Sequence, residues 1–191
     1  MLKCADQVEA QYDRLLNLLI DESGSTIVKA KYEVLYTASV LRAAAGEVRR
    51  LYADTLPNEK PHRLSMVIRE PVGVVLTISP FNAPLVLLAK MLVFPLAGGN
   101  AVIAKPSEET PLIAVELAKV MHEAGLPDGV LNVVTGFGPE CGEPLAKHPD
   151  VNGIALTGST GTGIKIGQIA AQTMKRVPVD GVIAEPAWGA A

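Results

Sequence analysis

Residues Val72–Val86 read V-G-V-V-L-T-I-S-P-F-N-A-P-L-V, and the order of that stretch sets the architecture. Val72 to Ser79 is a continuous apolar run of strand length, set apart from what precedes it by Glu70-Pro71. Pro80 and Pro84 flank a turn that carries Asn82. Pro84 suits the first position of a helix, where its missing N–H would have no partner anyway. The helix is expected to run to about Ala97, because Gly98-Gly99-Asn100 follows as a stop. Strand, turn and helix in this order make the first unit of a parallel α/β sheet.

The same unit recurs downstream. Ala101 to Ala104 reads as a short buried strand. Thr110 is placed as an N-cap with Pro111 at the first helical position, and the helix runs to Glu123 or Ala124 before Gly125. Val130–Val134 is a strand, Pro139–Lys147 a short helix and Gly153–Thr157 another strand. Gly158-Ser159-Thr160 then opens a helix to about Met174. Upstream, Val8, Tyr12, Leu15 and Leu19 predict one helix ended by Gly24. Val34, Ala38, Leu41, Ala45, Val48 and Tyr52 predict a longer one, ended by the polar run Asp54–Pro61. His62–Arg69 alternates loosely, as an edge or hairpin strand does.

Hydrophobic residues make up 49% of the 191, but aromatics only 4%. A core of Ala, Val, Leu and Ile fits parallel strands covered by helices on both faces. Net charge is −3 and the pI about 5.6, so no basic footprint for nucleic acid exists. The longest apolar run, around Ala83–Ala97, is interrupted by Lys90 and Pro95 and is too short to span a bilayer. The charged N-terminus does not read as a secretory signal. Cys4 and Cys141 lack metal-ligand spacing, and the expectation is a reduced, cytoplasmic chain without metal or membrane. His62, His122 and His148 are scattered, with no cysteine or carboxylate at metal spacing.

Three places carry candidate chemistry. Asn82 sits where a buried strand ends, on the side of an α/β sheet where ligands bind. There a primary amide can donate to a developing oxyanion, while local turn formation is the alternative. Lys105 follows the next strand, with Glu108 three residues on. Together they read either as solvated loop charges or as a donor–acceptor pair for ribose hydroxyls. Gly158-Ser159-Thr160-Gly161-Thr162-Gly163 brings small residues to a helix N-terminus, which suits either a pyrophosphate or a plain helix cap. It is not a P-loop, because Ile164 stands where the lysine must be. Its glycines fall as G-x-x-G-x-G, which is not the dinucleotide fingerprint. Gly136-Phe137-Gly138 offers a second close backbone approach. Cys141 has nothing basic beside it in sequence and is not read as a nucleophile.

These stretches together resemble the aldehyde dehydrogenase superfamily. The matches are R-E-P-V-G-V-V (Arg69–Val75), I-S-P-F-N-A-P (Ile78–Pro84), L-A-G-G-N-A-V (Leu96–Val102), K-P-S-E (Lys105–Glu108) and G-L-P-D-G-V-L-N-V-V (Gly125–Val134). G-F-G (Gly136–Gly138) and L-T-G-S-T (Leu156–Thr160) continue them in order. The resemblance covers residues 3 to 177. It implies an α/β fold in which N-terminal helices precede a Rossmann-like parallel sheet with helices on both faces. It also implies NAD(P)-dependent oxidation of an aldehyde to a carboxylic acid through a cysteine thiohemiacetal. By the same resemblance, Asn82 matches the oxyanion donor, and Lys105 and Glu108 match the adenosine-ribose contacts. Ile78, Ser79 and Phe81 match residues at the nicotinamide end, and Gly138, Gly158 and Ser159 those around adenine and pyrophosphate. Glu108 looks more like NAD than NADP preference. The implied partners are an aldehyde and, for full-length members, further copies of the same chain.

The departures begin after Val177. There the family continues into a strand ending E-L-G-G, whose glutamate activates the hydrolytic water, whereas this chain reads P-V-D-G-V-I-A-E-P-A-W-G-A-A. Asp180 falls at the glutamate's position without its glycines, Glu185 is out of register, and neither receives the base. The expected organisation is an NAD-binding region over 1–177, comprising N-terminal helices 3–53, an edge strand or hairpin 62–71 and an α/β sheet 72–177. A divergent tail, 178–191, follows, and the catalytic domain with its cysteine nucleophile is absent. Such a chain is expected to be inactive alone; the alternative is a non-catalytic nucleotide-binding or assembly module. P-F-N-A-P hints at aromatic aldehydes but does not identify the substrate.

Overall fold

A computed structural model describes residues 1–177. The chain opens with α1 (Leu2–Ala10), α2 (Tyr12–Ser23) and α3 (Ile27–Glu47). The single helix expected from Val8 to Leu19 is therefore two. Gln11 leaves helical geometry at φ −100°, ψ 24°, but Gln11 N–H still reaches Gln7 and its carbonyl still takes Leu15 N–H. The break is a one-residue kink, and Val8, Leu15 and Leu19 remain fully buried in one core. Gly24 ends α2 at φ +62°, a conformation glycine adopts without a Cβ penalty. Thr26 Oγ1 caps α3 by accepting Lys29 N–H at 3.3 Å. The apolar stripe of α3 ends at Ala44; Val48 and Tyr52 are exposed, because the helix gives way to a 3-10 turn at Val48–Arg50 and the helical period no longer applies.

Next comes an antiparallel hairpin of β1 (Asp54–Leu56) and β2 (Ser65–Val67), with Thr55 opposite Met66. β2 is shorter than the expected His62–Arg69 run, and β1 lies inside the polar stretch read as a helix stop. Its strand character comes from the pairing partner, which no local pattern displays.

The main sheet holds β3 (Val74–Ile78), β4 (Ala101–Lys105), β5 (Leu131–Val133) and β6 (Gly153–Leu156) in the order β5-β4-β3-β6, all parallel. Helices α4 (Pro84–Ala97), α5 (Pro111–Glu123), α6 (Glu143–Lys147) and α7 (Thr160–Gln172) connect and cover it. The stretch expected as one helix over Pro139–Lys147 is a π-turn, Gly138–Gly142, running into α6. Alternate side chains point to opposite faces. Val75, Val102 and Ala104 join the core formed with α4, α5 and the N-terminal helices. Leu76, Ile154 and Leu156 pack with Ile166 and Ile169 of α7 on the other face. The strand starts are pinned by two asparagines: Gly73 N–H donates to Asn100 Oδ1 at 3.1 Å, and Val74 N–H to Asn152 Oδ1 at 2.9 Å. Beyond α7, Arg176 makes a parallel bridge to Gly153. Among the described residues no helix is long and apolar enough to cross a membrane.

The strand order has a functional consequence. From β3 the chain steps outward through β4 to β5, then returns to lay β6 on the other side of β3. Ligands of open α/β sheets bind at such a reversal, beyond the carboxyl ends of the strands.

Candidate functional site

Three loops leave the carboxyl edge of the sheet side by side. Ile78 at the end of β3 is in register with both Lys105 of β4 and Leu156 of β6. The Asn82 turn, the Lys105–Glu108 loop and the Gly158-Ser159 loop therefore start from neighbouring points. Ser79 N–H donates to Lys105 O at 3.2 Å and Thr157 N–H to Ile78 O at 3.1 Å, which carries the pairing one residue past the strands. Ser79 is buried and its hydroxyl meets no partner among the described residues. Asn82 is half-buried, and Phe81 is exposed.

Lys105 is only 3% exposed. Its Nζ lies 3.3 Å from Glu108 Oε2, so the two residues singled out from sequence do pair. The Glu108 carboxyl is held below its ordinary value, first by a hydrogen bond from its own backbone and then by Lys105. A buried ammonium facing a more exposed carboxylate presents a donor and an acceptor together, which is the complement of a vicinal diol.

The helix N-termini distinguish which loop can hold a phosphate. α4 and α5 both begin with proline, so their first free donors are the next two N–H groups. At α4 these belong to Leu85 and Val86, and both donate to Glu33 Oε2, at 3.1 and 3.3 Å. At α5, Leu112 N–H and Ile113 N–H donate to the two oxygens of Glu22, at 2.5 and 2.9 Å. Thr110, expected as the α5 cap, makes no side-chain capping bond; the carboxylate from α2 has taken its place. Anions are thus already present at two helix starts. At α7, Ser159 Oγ accepts Thr162 N–H at 3.2 Å. Thr160 and Gly161 are left with N–H groups that have no acceptor among the described residues. Of the three, α7 is the terminus open to an anion.

A cavity of about 330 Å³ adjoins that terminus, walled by Ile78, Lys105, Gly138, Gly142, Thr162 and Lys165, among others. A Cβ on Gly161 would meet nothing within 4 Å, so the backbone there is open to close approach. The structure gathers Ile78, Lys105 and Gly138 at this cavity, with Gly158 and Ser159 leading into α7 beside it. Ser79, Phe81 and Asn82 do not line it and stand in the adjoining turn. Lys165 is not among the residues expected from sequence, and Thr162 enters there only as a small residue of the Gly158–Gly163 run. Their signal was present: with Ser159 they fall three residues apart, which puts them near one side of a helix. Lys165 is held by Glu143, Nζ to Oε2 2.5 Å, and Glu143 also takes Lys147 at 2.7 Å.

Elsewhere the chemistry is sparse. Cys4 is buried in the N-terminal core, and Cys141 is half-buried in the turn after β5 with its Cβ close to Gly136. No group of His, Cys, Asp or Glu among the described residues is arranged to hold a metal. A cavity of about 860 Å³ is an apolar groove between α4 and β6 lined by Leu87, Met91, Phe94 and Ile154. It contains none of the candidate residues. Asp180 and Glu185 lie outside the described residues.

Residues 1–181 match the model of the aldehyde dehydrogenase family. The chain is 44% identical over 177 residues to the NADP/NAD-dependent aldehyde dehydrogenase PuuC of Escherichia coli K12, covering 92% of this chain and 36% of that protein. It is 40% identical over 174 residues to the mitochondrial benzaldehyde dehydrogenase of Antirrhinum majus, covering 91% of this chain and 32% of the other. Among solved structures, an NAD-dependent aldehyde dehydrogenase from Sinorhizobium meliloti superposes with a TM-score of 0.89 at 42% identity. That match covers 93% of this chain and 35% of that one. The chain thus spans about a third of the length of the curated relatives it matches.

Proposed function

Because this chain belongs to the aldehyde dehydrogenase family, we propose that it forms the cofactor-binding part of an enzyme that oxidises an aldehyde to a carboxylic acid with NAD. The observation that carries the reading is the open N-terminus of α7 beside the Lys105 cavity, at the reversal of strand order. Residues 1–177 would form this region, and 178–191 a separate tail.

The donor set fits a dinucleotide. The N–H groups of Thr160 and Gly161 would donate to a pyrophosphate, and Lys105 and Glu108 would suit the hydroxyls of a ribose. Glu108 favours NAD over NADP, because its carboxylate would stand against a 2′-phosphate. NAD, when bound, supplies the hydride acceptor. Ile78, Ser79 and Phe81 would shape the end of the site nearest the reacting carbon. Asn82 would donate its side-chain N–H to the oxygen that becomes negative when a thiolate adds to the aldehyde; being neutral, the amide needs no proton to leave. Neither Cys4 nor Cys141 is assigned that thiolate, so the 191 residues alone are proposed not to oxidise aldehydes.

The test is titration calorimetry of the purified chain with NAD, beside an assay for NADH formation with aromatic and aliphatic aldehydes. Saturable NAD binding without turnover is expected. Turnover by the chain alone would contradict the assignment of the thiolate, and absence of binding would contradict the cofactor site. The reading as a non-catalytic nucleotide-binding module rests on the same α7 terminus. It is favoured over a part of an enzyme if NAD binds and no cysteine-bearing partner restores turnover.

A further inference from the structure

The turn that carries Asn82 is anchored at both ends from outside. At its start, Ser79 N–H donates to Lys105 O at 3.2 Å. At its end, Pro84 has no N–H and Ala83 offers no side-chain acceptor, so α4 has no local cap. The cap comes from α3, 52 residues upstream, where Glu33 Oε2 takes both Leu85 and Val86 N–H.

Glu33 is 1% exposed, an uncommon place for a carboxylate. Its other oxygen, Oε1, receives Lys29 Nζ at 2.6 Å, and Lys29 also donates to Ser25 Oγ at 2.7 Å. A buried carboxylate is tolerated where its lone pairs are used and a positive charge is close, and both conditions hold here. Two N–H groups converging on one oxygen fix the direction of the helix start as well as its distance. Between that anchor and Asn82 lie only Ala83 and Pro84, and the proline ring removes one of the few free torsions.

We propose that Glu33 is a positioning residue for Asn82: by capping α4 it sets where the Asn82 amide points. The functional meaning rests on the oxyanion role proposed above, but the positional effect can be tested without cofactor or aldehyde.

The experiment is ¹H–¹⁵N NMR and amide hydrogen exchange on the full chain and its Glu33→Ala and Glu33→Gln variants. In Glu33→Ala the Asn82 side-chain signals should move. The Leu85 and Val86 amides should shift upfield and exchange roughly tenfold faster, as for loss of a charge-assisted hydrogen bond. Leu76 and Ile103, in the sheet, should not change. Glu33→Gln keeps an acceptor, so it should move the Asn82 signals the same way by less. If Glu33→Ala does not fold, Glu33→Gln alone decides. Asn82 signals that stay at their original positions, or a uniform acceleration of exchange that includes Leu76 and Ile103, would overturn the proposal. Failure of the oxyanion role itself would leave these spectra as expected and would appear only in turnover by a catalytically complete protein.

Discussion

The carboxylate of Glu22 accepts the N–H of Ile113 at 2.9 Å across 91 positions of sequence, tying the second helix of the chain to the start of a helix that follows the sheet's second strand. Its other oxygen takes Leu112 N–H. Replacing Glu22 with alanine removes both bonds and the favourable charge at the helix N-terminus. The expected cost is about 1–2 kcal/mol, the range of a lost N-cap, read as a lower urea midpoint at unchanged slope. Thr110→Val should cost less than Glu22→Ala, because Thr110 does no side-chain capping.

In the proposed site, Lys105 and Glu108 would divide the contacts to a ribose. Lys105→Met is expected to weaken NAD binding by about 1.5–3 kcal/mol, the range of a hydrogen bond to a charged group. Glu108→Ser should lower NAD affinity less and raise the affinity for NADP relative to NAD, because it removes the anion that a 2′-phosphate would meet. Calorimetric titration of both variants with both nucleotides checks the pair; equal NADP-to-NAD ratios in wild type and Glu108→Ser would remove the basis for NAD preference.

Glu143 predicts a pH effect. Hydrogen bonds from Lys147 and then Lys165 pull its carboxyl from an ordinary 4.5 down to about 2. A group whose folded value is depressed contributes stability that is present above its unfolded value and lost as pH falls toward the folded one. The contribution should be complete above about pH 4.5 and gone near pH 2, and small, because Glu143 is only half-buried and both lysine partners are exposed. Thermal melts of wild type and Glu143→Gln should differ above that window and converge below it, where the wild-type carboxyl is protonated.

Gly73 is predicted to be irreplaceable where Gly161 is not. Gly73 has φ +115°, and a Cβ there would collide with Asn152 Oδ1, the acceptor that pins Val74. Gly73→Ala should destabilise by about 1–3 kcal/mol. Gly161→Ala should leave the urea midpoint nearly unchanged while crowding the phosphate position and weakening NAD binding.

What could be read from the chain was what is encoded locally. Pro84 at a first helical position and Gly98-Gly99 as a stop give α4 its bounds, and Ser159 caps α7 as its residue type suggests. The motif order carried the family and placed Lys105 beside Glu108. What escaped depends on partners far along the chain. β1 is a strand because β2 lies beside it. The caps of α4 and α5 come from Glu33 and Glu22, at separations no periodicity reveals. Among the described residues, those same distant contacts set α7 apart as the open terminus.

Chemical-shift mapping with NAD tests most directly whether a dinucleotide sits at the start of α7, as proposed. The predicted result is that backbone amides of Thr160, Gly161 and Thr162 move most, together with Lys105 and Gly138, and that the amides of Leu85 and Leu112 do not. Largest shifts at Leu85 or Leu112, where Glu33 and Glu22 already hold the helix starts, or no shifts at saturating NAD, would contradict it.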